Sequence, residues 1–210
     1  MPPAAPKISA LDFLPRQHDL PSLQKAARDC RGCDLYRNAT QTVFGEGRPS
    51  STILFIGEQP GDQEDLAGEP FVGPAGRLLD ACMEEAGIDR KAAYVTNAVK
   101  HFKWEPRGKR RIHKKPSMRE IAACRPWLVA EIEAVKPKLI VCLGASAAQS
   151  LLGPSFRVTK DRGRMMEVQG YPPVLATVHP SSILRAQTDE DRERERRLFI
   201  ADLVTAARVL

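Results

Sequence analysis

The sequence predicts an α/β fold of three layers, in which a mostly parallel four-stranded sheet is covered by helices on both faces. Two observations carry this expectation. Apolar runs of strand length recur at residues 50–57, 93–99, 138–144 and 173–178, and the first, S-S-T-I-L-F-I-G, has the form of a buried parallel strand. Stretches with helical periodicity lie between them, and strands that alternate with helices build parallel sheets with covered faces. At 210 residues, with no repeat and no composition break, the chain fits a single domain with a sizeable core.

Taken in order, residues 1–20 are rich in Pro and small residues and read as a flexible arm, leaving one domain over 21–210. Residues 21–28 form a short helix leading into Cys30-Arg-Gly-Cys33. The strand at 50–57 opens into a polar, Gly-rich loop over residues 58–76. Helix 77–86 follows, with Gly87 as its C-cap. The strand at 93–99 runs directly into a basic loop, 100–116. Ser117 and Glu120 make a capping-box pair, so a helix starts after Pro116. Its apolar face includes Ile121, Leu128, Ile132 and Val135, and Pro126 should kink it. Strand 138–144 and helix 146–152 come next, then short strands at 164–168 and 173–178. Phe199, Leu203 and Ala206 give the closing helix one apolar face.

Charge is concentrated rather than spread. The whole chain carries +6, whereas residues 100–119 hold nine Lys or Arg against one Glu, a local +8 that leaves about −2 for everything else. Such a cluster calls for an anionic partner. Charged residues make up 28% of the chain, which argues against global disorder. No apolar run reaches membrane-spanning length, and the first ten residues lack the apolar core of a secretory signal, so the default compartment is the cytoplasm and no membrane partner is expected.

In a parallel α/β sheet the active site gathers outside the C-terminal strand ends. Three polar segments fall there: residues 58–65, residues 97–113 and residues 179–182. Their convergence is the main structural expectation. The cysteines form a second candidate site. Cys30 and Cys33 have the spacing that lets one turn offer two thiolates to one metal, and Cys124 and Cys142 are separated by seventeen residues. Four thiolates suit zinc or a [4Fe–4S] cluster; alone, Cys142 reads equally well as a core residue mid-strand. Cys82 reads as core. Local spacing leaves zinc, iron–sulfur and no metal all open.

Together, Glu58-Gln-Pro-Gly-Asp-Gln-Glu-Asp65, Phe71-Val-Gly-Pro-Ala-Gly76, Asn97 after a strand and His179-Pro-Ser-Ser182 resemble the motifs of the iron–sulfur, family-4-type uracil-DNA glycosylases. The likeness covers roughly residues 22–208. The insertion Lys109-Arg-Arg-Ile-His113 resembles the hallmark of the UdgX branch, which traps uracil-containing DNA covalently through that histidine. The resemblance implies a uracil-DNA glycosylase-like fold, a monomer, and uracil-containing DNA as partner. It implies that Phe71 stacks on an extruded uracil, that Asn97 reads its Watson–Crick edge, and that His179 donates to its O2. Gln59 and the 58–65 loop would line the pocket. Lys109, Arg110, Arg111, Lys114 and Ser181 would contact DNA. Cys30, Cys33, Cys124 and Cys142 would hold a structural [4Fe–4S] cluster.

The chemistry fits these residue types. Breaking the bond to uracil needs a donor at the developing oxyanion, a role for His179, and the base must leave the stack to be reached. For capture, His113 must attack C1′ as neutral imidazole, a form the neighbouring Arg and Lys charges are expected to favour. Glu58 would hold its other nitrogen and take its proton. Motif one reads G-E-Q-P-G, a departure at the family's water-activating position that argues against simple hydrolysis. The alternatives are a hydrolytic glycosylase with turnover, His113 serving only to bind phosphate, and a non-catalytic iron–sulfur DNA-binding module. Phe102 and Trp104 are read as stacking on bases or anchoring the loop, and His101 as a surface or DNA-flanking residue.

Overall fold

The computed structural model describes residues 9–210. The first eight residues of the expected arm lie outside the described residues. From Ser9 onward the chain is packed: a 3-10 turn at Ala10–Phe13 buries Ala10, which meets Gly32 in the Cys30–Cys33 turn.

The elements follow in chain order as α1 (Leu20–Ala27), β1 (Ile53–Gly57), α2 (Asp62–Ala67), α3 (Pro74–Glu85), β2 (Ala93–Asn97), β3 (Trp104–Arg107), β4 (Arg110–His113) and α4 (Met118–Val135). The second half holds β5 (Leu139–Leu143), α5 (Ala145–Leu152), α6 (Val158–Asp161), β6 (Met165–Met166), β7 (Val174–Thr177), α7 (Pro180–Leu184) and α8 (Asp189–Ala207). The main sheet has the order β2-β1-β5-β7-β6, with the first four strands parallel and β6 antiparallel. A mostly parallel four-stranded sheet was expected; the strand read at 164–168 is the two-residue β6, which adds a fifth, antiparallel strand along one edge.

Alternation along the buried strands sends side chains to two cores. Ile53, Phe55, Val95 and Val141 pack with Leu79 and Met83 of α3 and with Phe199 and Leu203 of α8. Leu54, Ile56, Tyr94 and Ile140 pack with Leu128 and Ile132 of α4 and with Ala147 and Leu151 of α5. This is the three-layer arrangement. A third cluster joins α1 to α4 through Leu23, Ala27, Trp127 and Ala130. Ser117 and Glu120 cap α4 as expected, and the helix runs on through Pro126.

Several elements were not expected. The 58–76 segment contains α2, the short helices α6 and α7 flank the last strands, and the basic loop is a β-hairpin in which Trp104 pairs with His113 and Arg107 with Arg110. Gly108 supplies the positive φ, 61°, that a two-residue hairpin turn needs at its first position. The hairpin gives the cationic segment a fixed register, so His113 sits at a defined strand end.

The strand order reverses between β1 and β5, because the chain steps from β1 outward to β2 and later returns to the other side of β1. Ligands bind outside the strand ends at such a switch point. Among the described residues no helix is long and apolar enough to cross a membrane.

Candidate active site

The C-terminal strand ends surround a cavity of about 1020 Å³, lined among others by Glu58, Phe71, Asn97, His113, Ser146 and His179. The three segments expected to converge do so. Each is placed by the element before it: Glu58 follows β1, Asn97 ends β2, and His179 follows β7 as the N-cap of α7.

His179 is oriented by its own helix start. Its Nδ1 accepts a hydrogen bond from the Ser181 N–H at 3.1 Å and lies 2.9 Å from Ser181 Oγ. The ring proton is thereby placed on Nε2, a donor available to the cavity. Burial, with Arg185 and His113 as nearby positive charges, pulls its pKa down to about 4, so it is a neutral donor at physiological pH. Ser181, expected at DNA, lines the cavity and also sets the tautomer of His179.

Phe71 holds a left-handed backbone, φ 60°, and its ring lies nearly parallel to that of His179, with centroids 6.2 Å apart. Such strain persists only where the surroundings impose it. Gly76 in α3 abuts the Phe71 carbonyl so closely that no side chain fits between them. Glu64 of α2 accepts from the N–H of Gly61 at 3.1 Å and of Gly73 at 2.8 Å, tying the loop on both sides of Phe71. Asn97 is buried, and its carbonyl accepts from the Lys100 ammonium at 2.8 Å. Lys100 and Glu131 form a fully buried ion pair, joined by Tyr94, Thr96 and the Gly45 N–H.

His113 Nε2 lies 3.5 Å from Glu58 Oε1 over the cavity, with nearly half of its side chain exposed. Its pKa is lowered, first by burial, against the raising effect of Glu58 and with help from Arg185. The neutral form was expected from the flanking hairpin cations. The charge that contributes is Arg185, which lines the cavity from the end of α7 and has no motif that would reveal it.

Other expected roles change. The Gln59 amide donates to the carbonyls of Lys103 and Lys114 at 3.2 and 3.0 Å and accepts from the Lys103 N–H at 3.0 Å, stapling the base of the hairpin. It still borders the cavity, yet its amide is occupied. Arg111 is not free for phosphate: it binds Asp62 at 2.6 Å and Asp65 at 2.5 Å, reaches Thr40 Oγ1 at 3.1 Å, and lies over the Phe102 and Trp104 rings. Phe102 is buried and Trp104 donates to the Asn38 carbonyl at 2.8 Å, so both anchor the hairpin to the body. Lys114 pairs with Glu105 at 2.5 Å on the surface. Lys109 and Arg110 are exposed and carry no ion pair among the described residues, as phosphate contacts require.

Three of the four expected cysteines share the third cluster: Cys30, Cys33 and Cys124. Two already accept hydrogen bonds from N–H donors, Trp127 Nε1 to Cys30 Sγ at 3.1 Å and Lys100 N to Cys124 Sγ at 3.3 Å. That environment suits cluster-ligating thiolates. Cys142 does not join them. Strand alternation turns it into the sheet core with Leu54, Ile56 and Ala147. The fourth-ligand assignment is therefore corrected. His101, expected at the surface, is buried. Its Nε2 is 2.9 Å from Thr42 Oγ1, whose proton goes to the Ala27 carbonyl, which also accepts from the Cys30 N–H. Nε2 must then carry the ring proton, leaving the lone pair on Nδ1. His101 is thus tied through Thr42 to the Cys30 turn, while the adjacent Lys100 N–H reaches Cys124. Cys30, Cys33, Cys124 and His101 have donor atoms of the kind an iron–sulfur group takes, but among the described residues no three His, Cys, Asp or Glu side chains are gathered closely enough to hold a metal ion.

Residues 44–204 match the uracil DNA glycosylase superfamily. The chain belongs to this family. It is 37% identical over 192 residues to the type-4 uracil-DNA glycosylase of Thermotoga maritima, covering 91% of this chain and 94% of that protein. The type-4 enzyme of Archaeoglobus fulgidus is 36% identical over 184 residues, 84% of this chain and 89% of that protein. A type-5 uracil-DNA glycosylase of Pyrobaculum aerophilum is 32% identical over 100 residues, 46% of this chain and 40% of that one.

Proposed function

We propose that this member of the family excises uracil from DNA and becomes linked to the abasic sugar through His113. The observation that carries the reading is the imidazole of His113, held over the cavity beside the Glu58 carboxylate at 3.5 Å and facing the same space as Phe71, Asn97 and His179. The family membership and the type-4 relatives support uracil excision; the 109–113 insertion, like that of the UdgX branch, supports capture.

The extruded uracil stacks on Phe71, is read by the Asn97 amide, and receives a hydrogen bond from His179 Nε2–H at O2. The N1–C1′ bond breaks with its electron pair leaving on uracil, whose anion that donor stabilises. One nitrogen of neutral His113 bonds to C1′, and the proton on the other passes to Glu58. The product is an N-substituted neutral imidazole, a poor leaving group, which is why the adduct persists. Lys109 and Arg110 bind flanking phosphates. Cys30, Cys33, Cys124 and His101 would hold a [4Fe–4S] cluster in a structural role, joining α1 to α4 beside the Lys100 segment. The protein acts as a monomer in the cytoplasm.

Mixing the protein with a uracil-containing oligonucleotide tests this on a denaturing gel: a heat- and detergent-stable shifted band, lost in His113→Ala, is expected. Free uracil in stoichiometric excess over protein, with no shifted band, would instead mean a hydrolytic enzyme with turnover. If Glu58→Gln forms the band as fast and as durably as the wild type, Glu58 has no part in capture.

A further inference from the structure

We infer that Ser146 is a positioning residue for covalent capture, acting through Glu58 to keep one carboxylate oxygen turned toward His113. The two oxygens of Glu58 are divided between partners. Oε1 faces His113 at 3.5 Å, and Oε2 accepts a short hydrogen bond from Ser146 Oγ. Ser146 is buried, in the first turn of α5, and lines the cavity.

The placement follows from topology. β1 and β5 are neighbours on either side of the switch point, paired from Ile53 with Leu139 to Ile56 with Cys142. The residue after β1 is Glu58, and the turn after β5 leads into α5, so their first side chains meet across the crevice. The N-terminus of the eight-residue α5 presents its positive end to the same carboxylate. A Glu side chain has three rotatable bonds, and with Oε2 fixed by a buried hydroxyl the carboxylate plane is set and Oε1 is aimed. From the opposite side, the hairpin fixes His113 by the Gln59 staple and the Arg111 latch. Hydroxyl, carboxylate and imidazole are then linked in succession from α5, the loop after β1 and the end of β4. The order is that of an orienting group, a base and a nucleophile. Charged or titratable groups facing His113 besides Glu58 are Arg185 and His179, and the Ser146 hydroxyl hydrogen-bonds to Glu58.

This inference rests on the capture reading, and two readouts keep them separate. S146A and S146T are compared with the wild type for the single-turnover rate of adduct formation at saturating uracil-containing DNA, and for the titration of the His113 ring by NMR in the free protein. S146A should slow adduct formation about 10- to 100-fold, the loss that follows when a reacting group is misplaced by about an ångström. It should also move the His113 titration to lower pH, because the carboxylate that opposes the shift is no longer held. S146T, which keeps the hydroxyl, should restore both. S146A that behaves as wild type in both readouts overturns the assignment, as does S146T that behaves as S146A at an unchanged melting temperature. A wild type that forms no adduct, with the His113 titration still shifted in S146A, overturns capture and leaves the positioning role of Ser146 standing.

Discussion

Arg111→Met separates a latch from a phosphate contact. In the structure the guanidinium is mostly covered, binds the fully buried Asp65 at 2.5 Å and the half-exposed Asp62 at 2.6 Å, and lies over two aromatic rings. The hydrogen bond to the buried carboxylate contributes about 1.5–3 kcal/mol, whereas the exposed pair adds no more than about 1 kcal/mol. Loss of about 2–3 kcal/mol from hairpin docking lowers the docked population relative to undocked roughly 25- to 150-fold, at about 1.4 kcal/mol per factor of ten. Because His113 ends β4, the adduct rate should fall at saturating DNA, by up to that factor. Arg110→Met serves as the contrast: Arg110 is exposed, so its loss should weaken DNA binding and flatten the salt dependence by about one phosphate contact, leaving the saturated rate unchanged. Single-turnover gels at rising DNA concentration make the measurement. An Arg111→Met protein with a wild-type rate at saturation and a reduced salt slope would show that Arg111 binds phosphate and that the latch reasoning is wrong.

Cys142→Val should keep iron, labile sulfide and the absorbance near 400 nm, whereas Cys124→Ser or His101→Ala should lose them; iron analysis of the purified proteins decides. Lys100→Met leaves Glu131 buried without its cation and should cost about 3–5 kcal/mol, read as a large drop in melting temperature; Lys100→Met with Glu131→Gln should recover part of it. The adduct rate should be flat at neutral and alkaline pH and fall in acid, once His113, whose pKa lies below its ordinary value of 6.5, becomes protonated. His179 has a folded pKa of about 4 against 6.5 unfolded. The unfolded state takes up its proton first as pH falls, so the contribution to stability is full above pH 6.5 and is lost as pH drops toward 4. Acid-induced unfolding should ease when His179 is replaced by Gln.

The parallel strands were readable because each is an apolar run too long and too uniform for a loop, and their C-terminal ends therefore located Glu58, Asn97 and His179. The hairpin was hidden by its own composition: two four-residue strands, one holding Pro106, show no alternation among four cations. The six-residue α2 is too short for a helical period, although Gly61 and Gly68 bracket it and Asp62, Glu64 and Asp65 fill its first turn. Partnerships across the fold were less legible still. Arg111 and Lys109 look alike in sequence, and only the tertiary contact with Asp65 separates a latch from a phosphate binder. Cys142 was drawn into the cluster by cysteine count, but its parity along β5 with Ile140 carried the opposite signal. His101 was taken for surface because its neighbours are basic, while the adjacent Lys100 is itself fully buried. Ser146 and Arg185 sit in segments with no motif, and their roles come entirely from which loops the switch point brings together.

The central claim is that His113 ends the reaction as part of the product. Intact-mass spectrometry of the protein after incubation with a single-uracil oligonucleotide tests it directly. The account predicts a species whose mass is that of protein plus oligonucleotide less one uracil, with the crosslinked peptide containing His113 and no such species from His113→Ala. Unmodified protein beside free uracil and an abasic oligonucleotide would contradict it.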